Sequence, residues 1–106
     1  MSSWIGILAM SHKVLLRPAA GRDLDAIAVY TKKQWGARQA RLYVAALRAD
    51  IETLADFPMR HELLHIDGSH FRKLSSGHHL VFYVVEAYTV SVVRILHERM
   101  NINRHL

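Results

Sequence analysis

The chain contains no cysteine. That removes disulfides, thiolate zinc sites and a cysteine nucleophile, and with them the small stapled scaffolds of secreted proteins, so a cytoplasmic protein is expected. Long hydrophobic runs are missing too. The apolar start, Met1 to Ala9, has no basic flank and is too short to cross a bilayer, which argues against a signal peptide or membrane anchor. Acidic residues are scarce, nine against fourteen Lys and Arg, and the net charge of +5 suits an acidic partner, whether nucleic acid or an acidic protein segment. No repeat or low-complexity tract is visible. What remains is a globular composition, 51% hydrophobic and 22% charged, in a length of 106 residues that leaves room for one domain. Met10 stands just ahead of a strand-like run and is the expected natural start, with residues 1–9 upstream of it. The domain is then residues 13–106, and residues 1–12 are an N-terminal extension.

Val14 to Arg17 reads as a short strand that Pro18, lacking an N–H, keeps from continuing as a central one. Leu24, Ile27, Ala28, Thr31 and Trp35 then form one helical stripe, with Asp23 and Asp25 in the first turn and Gly36 closing the helix. Ala40, Tyr43, Val44, Leu47, Ile51 and Leu54 mark a second helix ending before Pro58, so the two make an antiparallel hairpin. Its other face carries Arg38, Arg41, Arg48 and Glu52 and reads as solvated. Residues 59–69, with the Asp67-Gly68 turn signal, read as a connector with at most one helical turn. Strands follow at 71–75, 78–86 and 89–97. The middle one is apolar in both alternating sets and should be buried on both faces. The fold class is α+β, an N-terminal strand and a helical hairpin packed on a twisted antiparallel sheet.

His61-Glu62-Leu63-Leu64-His65 matches HExxH, in which a helix aims two imidazoles at zinc and the Glu serves as base. In a connector the motif has no helix to stand on, so neither metal nor other cofactor is expected. The cations Arg72, Lys73, His78, His79, Arg94 and His97 come from three adjacent strands, close enough to gather phosphates or carboxylates. Alternation puts Arg94 on the face of Val90, Val92 and Leu96, and His97 on the face of Val93 and Ile95. His and Arg could supply the base, acid and charge stabilisation of a ribonuclease. The plainer reading pairs Arg94 with an acid such as Glu86 or Asp23 and lets His97 cap the strand end. No ordered Ser, His and Asp arrangement is readable around Ser75 and Ser76.

Asp23-Leu24-x-x-Ile27 with Tyr30, Gln34-Trp35-Gly36, Gln39-Ala40-x-x-Tyr43 with Leu47, Leu54 to Pro58, Phe71-Arg72-Lys73-Leu74, His79 to Tyr83, and Arg94-Ile95-Leu96-His97-x-Arg99-Met100 together resemble the ParE branch of the RelE/ParE toxins. The resemblance runs from residue 13 to residue 106. It implies a toxin of a type II toxin–antitoxin pair, held in a hetero-oligomer by a ParD-like ribbon-helix-helix antitoxin whose C-terminal segment folds on binding. Operator DNA would be bound by the antitoxin and not by the toxin alone. The ParE-like target would be DNA gyrase, poisoned without catalysis, so no catalytic residue is expected. The RelE-like alternative is a ribosome-dependent endoribonuclease of messenger RNA. Cutters of that kind generally place a tyrosine near the C-terminus, whereas Asn101 to Leu106 holds no aromatic residue, which favours gyrase. Arg72, Lys73, Arg94, His97, Arg99 and Arg104 are the expected target contacts. Tyr30, Trp35, Tyr43 and Leu47 are the expected antitoxin contacts, although a Tyr/Trp stripe at helical spacing can equally be core.

Overall fold

In the computed structural model, which describes residues 12–106, the two helices pack on a five-stranded sheet. The elements are β1 (Lys13–Leu16), α1 (Pro18–Trp35), α2 (Ala37–Glu52), a single 3-10 turn (Thr53–Ala55), β2 (Glu62–Ile66), β3 (Ser69–Ser76), β4 (His79–Glu86), β5 (Thr89–His97) and a short α3 (Ile102–His105). The expected start at Met10 and most of the N-terminal extension lie outside the described residues.

Pro18 does end β1, and it also opens α1, where its missing N–H costs nothing and its fixed φ suits the first turn. The helix therefore begins earlier than its acids suggest. Asp23 and Asp25 are beyond the first turn, and Asp23 is used for a tertiary contact instead. Gly36, at φ 90°, ends α1 and starts α2, a conformation that L side chains rarely adopt. Ala20, Leu24 and Ile27 of α1 and Leu47 and Ile51 of α2 turn toward the sheet and meet Leu74, Val81, Tyr83, Val90, Val92 and Ile95.

The strand order is β1-β5-β4-β3-β2, so β4 is central, and its Val81, Phe82 and Tyr83 are fully buried. The buried Tyr83 hydroxyl donates to the Pro58 carbonyl at 2.6 Å, and burial pushes its phenol up to about 12. Three features depart from the sequence reading. The connector 59–69 is largely a strand: Asp67 and Gly68, at φ 50° and 79°, make a two-residue hairpin of the kind that matches strand twist, and the preceding residues pair with β3. The sheet is mixed, because β1 runs parallel to β5, in register from Lys13 opposite Thr89 to Leu16 opposite Val92. Finally, the β4–β5 ladder slips, with Phe82 opposite Arg94 but Tyr83 opposite Val92. Val93 is the extra residue of a β-bulge. A bulge resets the alternation, so Val90, Val92 and Ile95 share the helix-facing core and the predicted grouping of Arg94 with Val90 and Val92 does not hold.

Candidate functional site

Where the β4 start and the β5 end meet the C-terminal half of α1, two adjoining hollows of ≈ 520 and ≈ 580 Å³ share Tyr30, His79 and His97. The register brings the histidines together, since His79 stands opposite His97 and His78 lies beside them in the turn. The His79 and His97 rings meet edge to face at 5.3 Å, and His78 stacks on His97 at 6.3 Å. Trp35, Tyr43 and Tyr30 form the aromatic wall of one hollow, while Arg94, Arg99 and His105 add cations and imidazole to the other.

Tyr43 organises this cluster from α2. Its hydroxyl shares a hydrogen bond with His79 Nδ1 at 2.6 Å and accepts the backbone N–H of His78 at 3.0 Å, which ties α2 to the turn between β3 and β4. Burial, reinforced by the neighbouring His97 and His78, holds the His79 imidazole below its ordinary value. The His78 ring, 3.0 Å away, holds the Glu98 carboxyl below its usual range. The backbone N–H of Arg99 donates to His97 Nδ1 at 3.2 Å, fixing that ring at the end of β5. The approach of Tyr43 to the turn also explains Gly77. It sits at φ 56°, and a Cβ there would lie 2.7 Å from the Tyr43 oxygen. Gly77→Ala should therefore cost about 2 kcal/mol through backbone strain and displacement of Tyr43, read as a lower midpoint in urea. A loss under about 0.5 kcal/mol would show that the turn does not depend on this contact.

The cations expected to meet a target fall into two groups. Arg72 donates to the carbonyls of Met59 (3.2 Å) and His61 (2.7 Å), Lys73 pairs with Glu62 at 3.1 Å, and Arg94 is gripped by Asp23. These three hold the loop before β2, the β2–β3 pair and the α1–β5 junction, so each is already engaged within the fold. Arg99 and Arg104 are exposed and join no ion pair among the described residues, and His97 is half-buried in the groove. The aromatic set divides similarly. Tyr30 and Trp35 are 64% and 72% exposed, whereas Leu47, at 1%, is core and Tyr43 is half-buried by the bonds just described. Leu47 faces the sheet because its helical position aligns it with Ile51 and Leu54, so it is not a surface contact.

The HExxH copy begins in a bend and continues along β2. In a strand, four residues separate His61 and His65 by about 13 Å, too far to share an ion. Sequence reasoning missed the junction of Tyr43 with His79, because nothing in a linear pattern says that a stripe residue reaches a turn 35 residues later.

A sequence model of the ParE toxin of type II toxin–antitoxin systems, parDE, matches residues 14–102. Toxin ParE1 of Mycobacterium tuberculosis is 39% identical over 98 residues, covering 92% of this chain and all of the relative. Among solved structures, a chain of the chromosomal ParDE system from P. aeruginosa superposes with a TM-score of 0.68 at 17% identity, over 82% of this chain and 96% of that one. A chain of the toxin–antitoxin complex RelBE2 from Mycobacterium tuberculosis does so with a TM-score of 0.63 at 19% identity, over 82% and 98%.

Proposed function

Since the chain belongs to the ParE toxins of type II toxin–antitoxin systems, we propose that it arrests growth by poisoning DNA gyrase in the cytoplasm and is silenced by a ParD-like antitoxin. The observation that carries the target half of this reading is the separation of the cations into tied and untied sets. A poison that acts by surface complementarity needs charges that are free to meet another molecule. Arg99 lies at the groove, and Arg104 is carried on α3, whose His105 carbonyl accepts a hydrogen bond from Arg94 at 3.2 Å. The two guanidiniums are thus presented on a segment fastened to the sheet. For the antitoxin, Tyr30 and Trp35 offer large, exposed aromatic surface beside an apolar hollow, the kind of anchor on which a segment that folds upon binding relies.

Purified protein added to gyrase and supercoiled plasmid is expected to inhibit supercoiling and accumulate cleaved DNA. The double variant Arg99→Ala with Arg104→Ala should lose that effect at least tenfold while still binding antitoxin. Unimpaired gyrase in the presence of a chain that arrests growth would overturn the reading.

The second reading, ribosome-dependent cleavage of messenger RNA, is favoured by one observation. His79 held by Tyr43, an adjacent His97 and the nearby Arg99 have the composition of a metal-independent acid–base site for phosphodiesters. Transcript cleavage that requires ribosomes and disappears in His97→Ala would select it over gyrase.

A further inference from the structure

The groove leaves one histidine pair unused. The β2–β3 hairpin turns at Asp67-Gly68 with both residues at positive φ, and Ile66 opposite Ser69 closes it. In a two-residue hairpin that closing pair exchanges the ladder hydrogen bonds, so the next pair, His65 opposite His70, is a non-hydrogen-bonded one, in which the strands approach most closely and side chains stand nearest each other. The two rings are 4.2 Å apart between centroids and at right angles, 88°. Both side chains are exposed, on the outermost hairpin of the sheet and apart from the groove.

We infer that His65 and His70 form a site for a divalent transition-metal ion, held by two imidazoles across the strand pair. Metal–nitrogen bonds of about 2 Å place two nitrogens bound to one ion roughly 3 Å apart, a separation compatible with exposed rings whose centroids already stand 4.2 Å apart. Imidazole pairs select Cu2+, Ni2+ and Zn2+ over Mg2+ and Ca2+, which prefer oxygen. Among the described residues no third His, Asp or Glu joins them, so the remaining coordination positions belong to water or to a ligand from another molecule. His65 thus contributes to a site that its HExxH neighbours do not: the usable partner is across the turn at position 70, not back along the strand at 61. An ion bound here would clasp the edge hairpin.

The test is calorimetric titration of the tag-free chain with Cu2+ and Zn2+, alongside His65→Ala, His70→Ala and His97→Ala. Both substituted side chains of the pair are exposed, so circular dichroism should show the native spectrum for each variant. One ion per chain is expected, with affinity reduced at least tenfold in His65→Ala and in His70→Ala, unchanged in His97→Ala, and no heat with Mg2+. A rise in Tm with Zn2+ that vanishes in His70→Ala would be the matching structural signature. Absence of binding by the unsubstituted chain, binding by His65→Ala or His70→Ala equal to that of the unsubstituted chain, or loss of binding in His97→Ala would overturn the site. Because neither His65 nor His70 lines the groove, failure here leaves the gyrase reading untouched, and failure of the gyrase assay leaves this site untouched.

Discussion

Asp23→Ala is expected to cost about 3 kcal/mol of folding stability, because one carboxylate removed breaks three charge-assisted bonds at the α1–β5 junction. Asp23 Oδ2 accepts Arg94 Nε at 2.7 Å and the Ile95 N–H at 2.9 Å, and Oδ1 accepts Arg94 Nη2 at 2.9 Å. The fork geometry holds the guanidinium above its already high ordinary value, with the hydrogen bond to Asp23 as the main cause. The side chains are 15% and 25% exposed, so water screens the pair only partly, and its loss should cost more than the loss of a surface bridge. Alanine leaves a half-buried cation unpaired and the Ile95 N–H beside the bulge without an acceptor. Asp23→Asn keeps a neutral acceptor for that N–H and should cost about half as much. Asp23→Ala combined with Arg94→Met should cost less than the two single changes added, since the second removes the orphaned charge left by the first. Urea unfolding of the unsubstituted chain and the four variants measures each quantity. A cost below about 1 kcal/mol for Asp23→Ala would show that this bridge behaves like an ordinary surface pair.

Tyr30→Asp with Trp35→Asp is expected to weaken antitoxin binding roughly 100-fold or more while leaving the fold intact. Two exposed aromatic anchors of about 2 kcal/mol each more than account for that factor at 1.4 kcal/mol per decade, and an introduced carboxylate also repels an acidic partner segment. Neither side chain contributes to the core cluster, so thermal unfolding should change little. In cells the variant should arrest growth even when antitoxin is co-expressed, separating neutralisation from toxicity. Unchanged affinity in a direct titration would place the antitoxin elsewhere on the surface. The contrast with Leu47→Asp is informative. That substitution would also abolish binding, but through unfolding, because its side chain lies among Leu24, Ile51 and Val81 in the core cluster.

The helices were the most legible part of this chain, because the period of Leu24, Ile27 and Thr31, and of Ala40, Leu47 and Ile51, is a local property that burial then confirms. The central strand was legible for the same reason. β2 was missed although its signal was present: Asp67-Gly68 is a hairpin turn, and a hairpin needs a strand on each side of it. The bulge at Val93 carries no local mark, neither glycine nor proline, and its position depends on how β5 must curve against β4 and α1. Every face assignment that crossed it was therefore bound to invert. The site was half legible. Residue types showed where cations and imidazoles gather, but whether an arginine is free depends on what the fold places opposite it. Arg72 finds carbonyls, Lys73 finds Glu62 across the hairpin, Arg94 finds Asp23, and Arg99 closes no ion pair among the described residues.

The parallel seating of β1 beside β5 bears on synthesis. Ribosomes emit about 5–20 residues per second, so Asp23 waits about 4–14 s for Arg94, 71 residues later, before the fork can close. During that interval the helical hairpin can form from local contacts, but Lys13–Leu16 has no strand to join until Thr89–His97 emerges. The same late stretch supplies His97 to the groove, and the cations at 99 and 104 follow it. A message broken before that point, or a ribosome stalled on it, yields a polypeptide with the aromatic anchors proposed for the antitoxin and none of the untied guanidiniums proposed to do harm. The proposed gyrase contacts and completion of the sheet arrive together, whereas Tyr30 and Trp35 emerge first, so on the proposed reading a nascent chain offers an antitoxin its handhold before it is armed.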